Sequence, residues 1–271
     1  MEISQTKCFQ WSIIGAGPAG LASVGLLLES GVSPEDILLI DPHFTVGDFG
    51  QHWGEVNSNT TIELFLRFLS EIKGFFFDRR PRPFAIESKS AESFCQLQEV
   101  SEALAWITSN LQKNTSTHQG YVQQLRVNNG QWQIDLGDCR YQSEKVILAT
   151  GAVPKTLSYD NVKEISLYDA LKPSILKHLV KSSDRVAVFG SSHSSMIIMK
   201  SLLEAGVNSV YNFYLSPHRY AVKMDGWTLY DNTGLKGETA QWVRENISRC
   251  LDTRMKRYLS NEKNIHNYLP K

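Results

Sequence analysis

The sequence predicts an α/β fold made of two strand–turn–helix–strand units joined by a β meander, and three observations predict it. An apolar run, Trp11-Ser12-Ile13-Ile14, ends in Gly15-Ala16-Gly17-Pro18-Ala19-Gly20. The helical stretch Leu21 to Leu28 follows, and then a second apolar run, Ile37-Leu38-Leu39-Ile40-Asp41. Between Tyr121 and Leu148, short alternating runs are separated by turn residues. A second apolar run with a glycine turn, Val186-Ala187-Val188-Phe189 and Gly190, leads into a helical stretch from Met196 to Glu204 and a strand from Val210 to Leu215. The division expected is a first domain over 1–155 and a second over 156–271.

The elements follow in order. Residues 10–41 read as strand, helix, strand. Asp41 to Asn59 reads as a loop rich in glycine and aromatic residues. Residues 62–77 are apolar and helical at first, ending in Phe75-Phe76-Phe77, and Asp78-Arg79-Arg80-Pro81-Arg82-Pro83 reads as a solvated basic loop rather than a phosphate site. Ser93 to Leu111 carries Phe94, Leu97, Val100, Leu104 and Ile107 at the three-to-four spacing of an amphipathic helix. The meander is Tyr121-Val122, Leu125 to Val127, a turn at Asn128-Asn129-Gly130, Trp132 to Leu136, a turn at Gly137-Asp138, and Lys145 to Leu148. Tyr220 to Glu245 reads as a loop, with a helix from Thr239 to Ile247; it either lines a cleft or is a plain loop capped into a surface helix. No returning strand is evident between Leu215 and the end at Asn267-Tyr268-Leu269-Pro270-Lys271.

With 271 residues, 42% of them hydrophobic, the chain can build one large or two ordinary cores. A net charge of zero gives no electrostatic reason to expect nucleic acid, and no polybasic or long apolar segment points to a membrane. Met1 to Gln10 is polar and has no signal-like apolar stretch. Cys8, Cys95, Cys139 and Cys250 are scattered singly, which speaks against a disulfide framework, a zinc ribbon or a dithiol redox centre; the expected setting is the cytoplasm. No metal-ligand spacing and no recognisable Ser/His/Asp set occurs.

The first glycine turn carries the sharpest chemistry. Gly15 permits the tight turn, Gly17 lets a pyrophosphate approach the backbone, and Gly20 lets the helix pack against the strand. With Pro18 and Ala19 they form a helix N-terminus whose free N–H groups suit a phosphate. Asp41 stands 21 positions beyond Gly20, where a carboxylate accepts from ribose hydroxyls and repels a 2′-phosphate, so FAD or NAD is favoured there. The strand Val146 to Leu148 runs into Ala149-Thr150-Gly151 and leaves its backbone open near a ligand. In the second turn Gly190 is kept, but Ser192 and Ser195 replace the later glycines; their hydroxyls are candidate phosphate donors, and His193 is a nucleotide contact or a helix-start residue. Ser216, His218, Arg219 and Lys223 follow where an acid would select NAD, which suits a 2′-phosphate, hence NADP; the alternative is an ordinary βαβ unit with a basic loop.

These motifs, over residues 10 to about 250, resemble the flavoproteins with two dinucleotide-binding domains, Rossmann-like units with a β meander of the FAD/NAD(P)-binding type. That superfamily includes the pyridine nucleotide-disulfide oxidoreductases and the flavin-containing and N-hydroxylating monooxygenases. The resemblance implies FAD in the first domain, NADPH in the second, and a small-molecule substrate. Without a dithiol, the monooxygenase-like branch fits better. Gly50-Gln51-His52-Trp53 and Val56-Asn57-Ser58-Asn59-Thr60-Thr61 resemble its Gly-x-x-Trp and Thr-Asn-Thr segments. By that match Trp53 and Thr60 lie along the flavin, and Asn59 is the candidate catalytic residue, able to hydrogen-bond an oxygen species there. Asn59 serves equally as a helix cap and Trp53 equally as core. The monooxygenase segment between Gly151 and Leu171, and the late Gly-Asp that holds the ribityl chain in the family, are not evident; Asp138 follows a glycine, but it lies in a hairpin turn well before the second unit. The expected function is an FAD-dependent oxidoreductase taking hydride from NADPH and passing electrons to dioxygen or a small organic acceptor. The alternative is a nucleotide-binding module that kept the fold and lost turnover.

Overall fold

The computed structural model describes residues 7–249, 252–261, 265, 267 and 268. Met1 to Thr6, Cys250 and the last residues Leu269, Pro270 and Lys271 therefore lie outside the described residues, and with them most of the expected polar N-terminus. The chain forms two compact units, one of residues 1–54 and 61–153, the other of 55–60 and 154–271.

In the first unit, β1 (Cys8–Ile14), α1 (Pro18–Glu29) and β2 (Ile37–Asp41) make the anticipated strand–helix–strand. Proline at the first helical position and Gly17 as the N-cap start α1 where the sequence places it. A short helix, α2 (Gly47–His52), interrupts the stretch read as loop. It is followed by α3 (Ile62–Glu71) and α4 (Leu97–Asn114). Helix α4 starts later than anticipated, after Phe94, because Glu99 reaches back to the Gln96 N–H (3.2 Å) and fixes the start there. Its buried stripe is Val100, Leu104, Ile107 and Leu111.

The sheet adds β3 (Ser116–Gln119), β4 (Gln124–Asn128), β5 (Gln131–Asp135) and β6 (Arg140–Leu148) in the order β3-β2-β1-β6-β5-β4. The first four of these are parallel neighbours, and β5 and β4 are antiparallel additions. Strand β3 was not anticipated, and Tyr121-Val122 lies outside any strand. The β4–β5 turn has Asn129 and Gly130 at φ 49° and 78°, the two-residue turn whose twist suits a hairpin. One face of the sheet buries Ile13, Leu21, Val24, Ile37, Leu39, Phe75 and Leu104 among the helices. The other buries Phe9, Leu38, Ile40, Ile134 and Leu136 under the meander. Each such side chain contributes roughly 1.5–3 kcal/mol.

In the second unit, short helices α5 (Leu167–Ala170) and α6 (Pro173–Leu179) precede β7 (Arg185–Phe189), α7 (His193–Glu204) and β8 (Ser209–Tyr214). A small hairpin of β9 (Val222–Lys223) and β10 (Thr228–Leu229) follows. Helix α8 (Gly237–Trp242) continues into a π turn over Val243–Ile247. The expectation of no returning strand is overturned. Strand β11 (Met255–Leu259) pairs in parallel with β8, giving the order β11-β8-β7. It is the third strand of a second parallel half and brings no late Gly-Asp. Among the described residues no helix is long and apolar enough to cross a membrane.

Candidate functional site: two glycine turns at the carboxyl ends of parallel strands

The first turn is built by close approach. Gly15 adopts φ +104°, and a Cβ there would lie 2.3 Å from the Ala149 carbonyl oxygen. A Cβ on Gly20 would lie 1.8 Å from the Gly15 carbonyl oxygen. Both glycines are thus required by the backbone that surrounds them. Ile14 pairs with Leu148 at the strand end of β6, and the Ala149 N–H donates to the Ile14 carbonyl (2.8 Å), so Ala149-Thr150-Gly151 sits beside the turn. Gly17 and Gly151 differ from these two. A Cβ on Gly17 would meet only the Val46 carbonyl oxygen, at 3.9 Å, and one on Gly151 nothing within 4 Å. The space over the start of α1 is open, as a bound pyrophosphate requires. Ala19 and Gly20 lie in the first turn of α1, where N–H groups have no partner inside the helix.

Asp41 is only 6% exposed, and the structure gives its carboxylate a second task. Oδ2 accepts from the Ala16 N–H (2.7 Å), while Oδ1 accepts from the N–H groups of His43 (2.8 Å) and Phe44 (2.6 Å). The carboxylate therefore ties the phosphate turn to the loop after β2. In that loop Phe44 and Val46 both hold positive φ, at 53° and 65°. A carboxylate offers about four acceptor positions, so three donors leave one of them over.

Trp53 is half-buried at the end of α2, its ring edge-on to His52 with centroids 6.2 Å apart. Asn59 is exposed, and its Oδ1 accepts a long hydrogen bond from the Thr60 hydroxyl (3.4 Å). The N-cap of α3 is Thr61, so Asn59 is not the helix cap. Arg80, in the basic loop, pairs with Glu87 (Nε to Oε1, 2.9 Å) and donates to the Phe77 carbonyl, a structural tie.

In the second unit Gly190 repeats the tight turn at φ +116°. The Ser195 hydroxyl donates to the Ser192 carbonyl (2.8 Å), which corrects the expectation that it is free for phosphate. Ser192 is exposed at the N-cap of α7. His193 is the first residue of α7, its Nε2 3.4 Å from the Thr239 hydroxyl. Burial holds its imidazole below the ordinary value, opposed by the Asn57 backbone. Asn57 itself donates to Glu238 (3.0 Å). Arg219 is exposed over the Tyr230 ring, 5.4 Å from its centroid.

Sequence reasoning missed Arg257, because it missed the strand that carries it. Its Nε donates to Asn212 Oδ1 (2.8 Å), its guanidinium lies 4.4 Å from the centre of the Tyr214 ring, and its Nη2 is buried without a hydrogen-bond partner. Asn212, fully buried, donates in turn to the carbonyls of Val188 and Gly190 (3.0 and 2.7 Å), so Arg257 is linked to the turn. His218 Nε2 is also buried and unpartnered. Burial, helped by the Arg257 charge, lowers the His218 pKa to about 4. Arg257 Nη2 and His218 Nε2 are thus two buried nitrogens left without a protein partner.

A glycine turn at the carboxyl edge of parallel strands, made twice in one chain, defines a protein with two dinucleotide-binding units. No protein-family model matches the chain. It is 31% identical to Monooxygenase AgnR1 of Paecilomyces divaricatus over an alignment of 261 residues that covers 87% of this chain and 66% of that protein. A flavin-containing monooxygenase from Stenotrophomonas maltophilia shares the fold with TM-score 0.62 at 15% identity, over 93% of this chain and 70% of that one. A bacillithiol disulfide reductase from Staphylococcus aureus does so with TM-score 0.60 at 15% identity, over 93% and 67%. The chain has the fold of the flavoproteins with two dinucleotide-binding domains.

Proposed function

We propose that this chain carries the nucleotide-binding core of an FAD-dependent oxidoreductase of the monooxygenase type. It takes hydride from NADPH and passes electrons to dioxygen or a small organic acceptor, with oxygenation of a nucleophilic nitrogen or sulfur as the specific reaction. The observation that carries this reading is the open cradle over Gly17 and Gly151, set beside two glycines that the backbone itself requires. The name of the 31% identical relative supports the oxygenase version. When bound, the flavin supplies the redox chemistry. The chain's own residues bind and orient. The N–H groups of Gly17, Ala19 and Gly20 meet the pyrophosphate, Asp41 offers its remaining acceptor position to the ribose, and Thr150-Gly151 borders the space. Trp53, Asn59 and Thr60 are the proposed flavin-side residues, with Asn59 as the polar group near the chemistry. In the second unit Gly190, Ser192, His193 and Ser195 form the turn for NADPH; Arg257 and Arg219 offer positive charge to its 2′-phosphate, and His218, neutral well above pH 4, offers a ring nitrogen as a hydrogen-bond partner. The 1–155 and 156–271 division assigns FAD to the first domain and NADP to the second, and the proposed setting is the cytoplasm.

The competing reading, a nucleotide-binding module without turnover, is favoured by the Ser195 hydroxyl being spent on Ser192. Gly17→Val tests the cradle, since a Cβ there enters open space, its nearest neighbour the Val46 carbonyl oxygen at 3.9 Å. The expected result is an unchanged circular dichroism spectrum with FAD affinity reduced at least ~100-fold, about 2.7 kcal/mol. Unchanged FAD affinity would overturn the assignment.

A further inference from the structure

The geometry points to a metal site in the first unit, formed by His118 Nε2, Cys139 Sγ and the Asp138 carboxylate, that takes a zinc-like divalent cation. The three residues come from edge strand β3 and the β5–β6 turn, about twenty positions apart in sequence, and the fold brings their ligand atoms within 4.8 Å of one another. Sγ lies 3.8 Å from Nε2. Tetrahedral zinc with Zn–S about 2.3 Å and Zn–N about 2.05 Å sets that separation at about 3.6 Å, so only a few tenths of an ångström of adjustment are required. The soft thiolate, imidazole and carboxylate together select zinc over calcium or magnesium.

A second, independent feature is the support behind the histidine. Its Nδ1 lies 2.8 Å from the Tyr141 hydroxyl, and the two rings meet edge to face with centroids 5.4 Å apart. With the proton on Nδ1 donated to Tyr141, Nε2 keeps its lone pair directed at Sγ. This is the arrangement by which ligating histidines are oriented. Tyr141 is itself anchored edge-on against Phe9, at 6.0 Å, in the buried layer beneath the meander. The site is therefore built on a rigid base. Asp138 is exposed and leaves the fourth position to water.

A divalent ion takes the sulfur as thiolate: the thiol proton is displaced to solvent, the sulfur electron pair forms the metal bond, and no oxidant or reductant is involved. The ion would clip edge strand β3 to the β5–β6 turn, a closure independent of either nucleotide.

The test is a cobalt titration of the full chain after chelator treatment, read as a difference spectrum so that any bound flavin cancels. The expected result is saturation at one cobalt per chain, with a thiolate-to-cobalt charge-transfer band and about one proton released in weak buffer. Cys139→Ser should remove the band. Asp138→Asn, an exposed change that the fold tolerates, should weaken binding at least tenfold, and Tyr141→Phe by roughly 10–100-fold at unchanged circular dichroism. A band that survives Cys139→Ser, affinity unaffected by Asp138→Asn, or no saturable cobalt binding below about 1 mM would each overturn the site.

Discussion

Asp41→Asn separates two roles of one carboxylate. If Asp41 served only a ribose, its loss would weaken FAD binding and leave the unliganded protein as stable as before. The structure instead assigns it three backbone donors at 2.6–2.8 Å, one of them from the fully buried Ala16. An amide oxygen can keep the His43 and Phe44 N–H groups, but its NH2 then faces the Ala16 N–H, donor against donor. A lost hydrogen bond to a charged group is worth about 1.5–3 kcal/mol, so Asp41→Asn should cost ~2–3 kcal/mol. Asp41→Ala removes all three bonds. Water can reach the exposed His43, which limits the total to ~3–5 kcal/mol. Against a stability of roughly 5–15 kcal/mol these are large effects. The assay is urea unfolding of the FAD-free protein followed by far-ultraviolet circular dichroism, comparing midpoints at unchanged slope. A change within about 0.5 kcal/mol for both variants would refute the argument that the carboxylate fastens the phosphate turn to the following loop.

Three further outcomes are expected. Gly15→Ala combines a left-handed backbone with a Cβ at 2.3 Å from the Ala149 carbonyl; it should lose at least ~3 kcal/mol and most soluble yield, while a wild-type midpoint would contradict the close approach. His218 has a folded pKa of about 4, below the unfolded value of about 6.5. The unfolded chain therefore binds more protons between these values, so the His218 contribution is full above pH ~6.5 and lost as pH falls towards ~4. His218→Gln should flatten the pH dependence of the urea midpoint over that window, and an unchanged slope would contradict the burial. Arg257→Leu should raise the NADPH dissociation constant ~10–100-fold with little change for NADH, because only the former offers a 2′-phosphate to Nη2; equal loss for both would place Arg257 in a structural role.

Much of the first unit is legible in sequence because local rules agree there. The apolar run, the glycine hexad, Pro18 at the helix start and Asp41 at the strand end each specify the same βαβ unit, and the structure follows them closely. Asn129-Gly130 likewise announces its own hairpin. The misses are non-local. Strand β3, Ser116-Thr117-His118-Gln119, is polar throughout and gains strand character only by pairing with β2. Strand β11 places Lys256 and Arg257 where an apolar pattern would announce a strand, and its pairing with β8 crosses some forty residues. Helix α2 is obscured by Gly47 and Gly50, poor helix formers. The same reason hides the chemistry: Arg257 was invisible as a site residue until β11 existed, and His118 meets Cys139 only through the sheet. Asp41 was found by spacing, but the three N–H groups it serves were not, because spacing identifies a side chain and not its partners.

The most direct measurement is the absorbance spectrum of the purified protein, or of protein reconstituted with FAD, before and after anaerobic NADPH. The account predicts a bound-flavin spectrum that bleaches on NADPH addition. A chain that retains no FAD, or a bound flavin that stays oxidised with NADPH in excess, would contradict it.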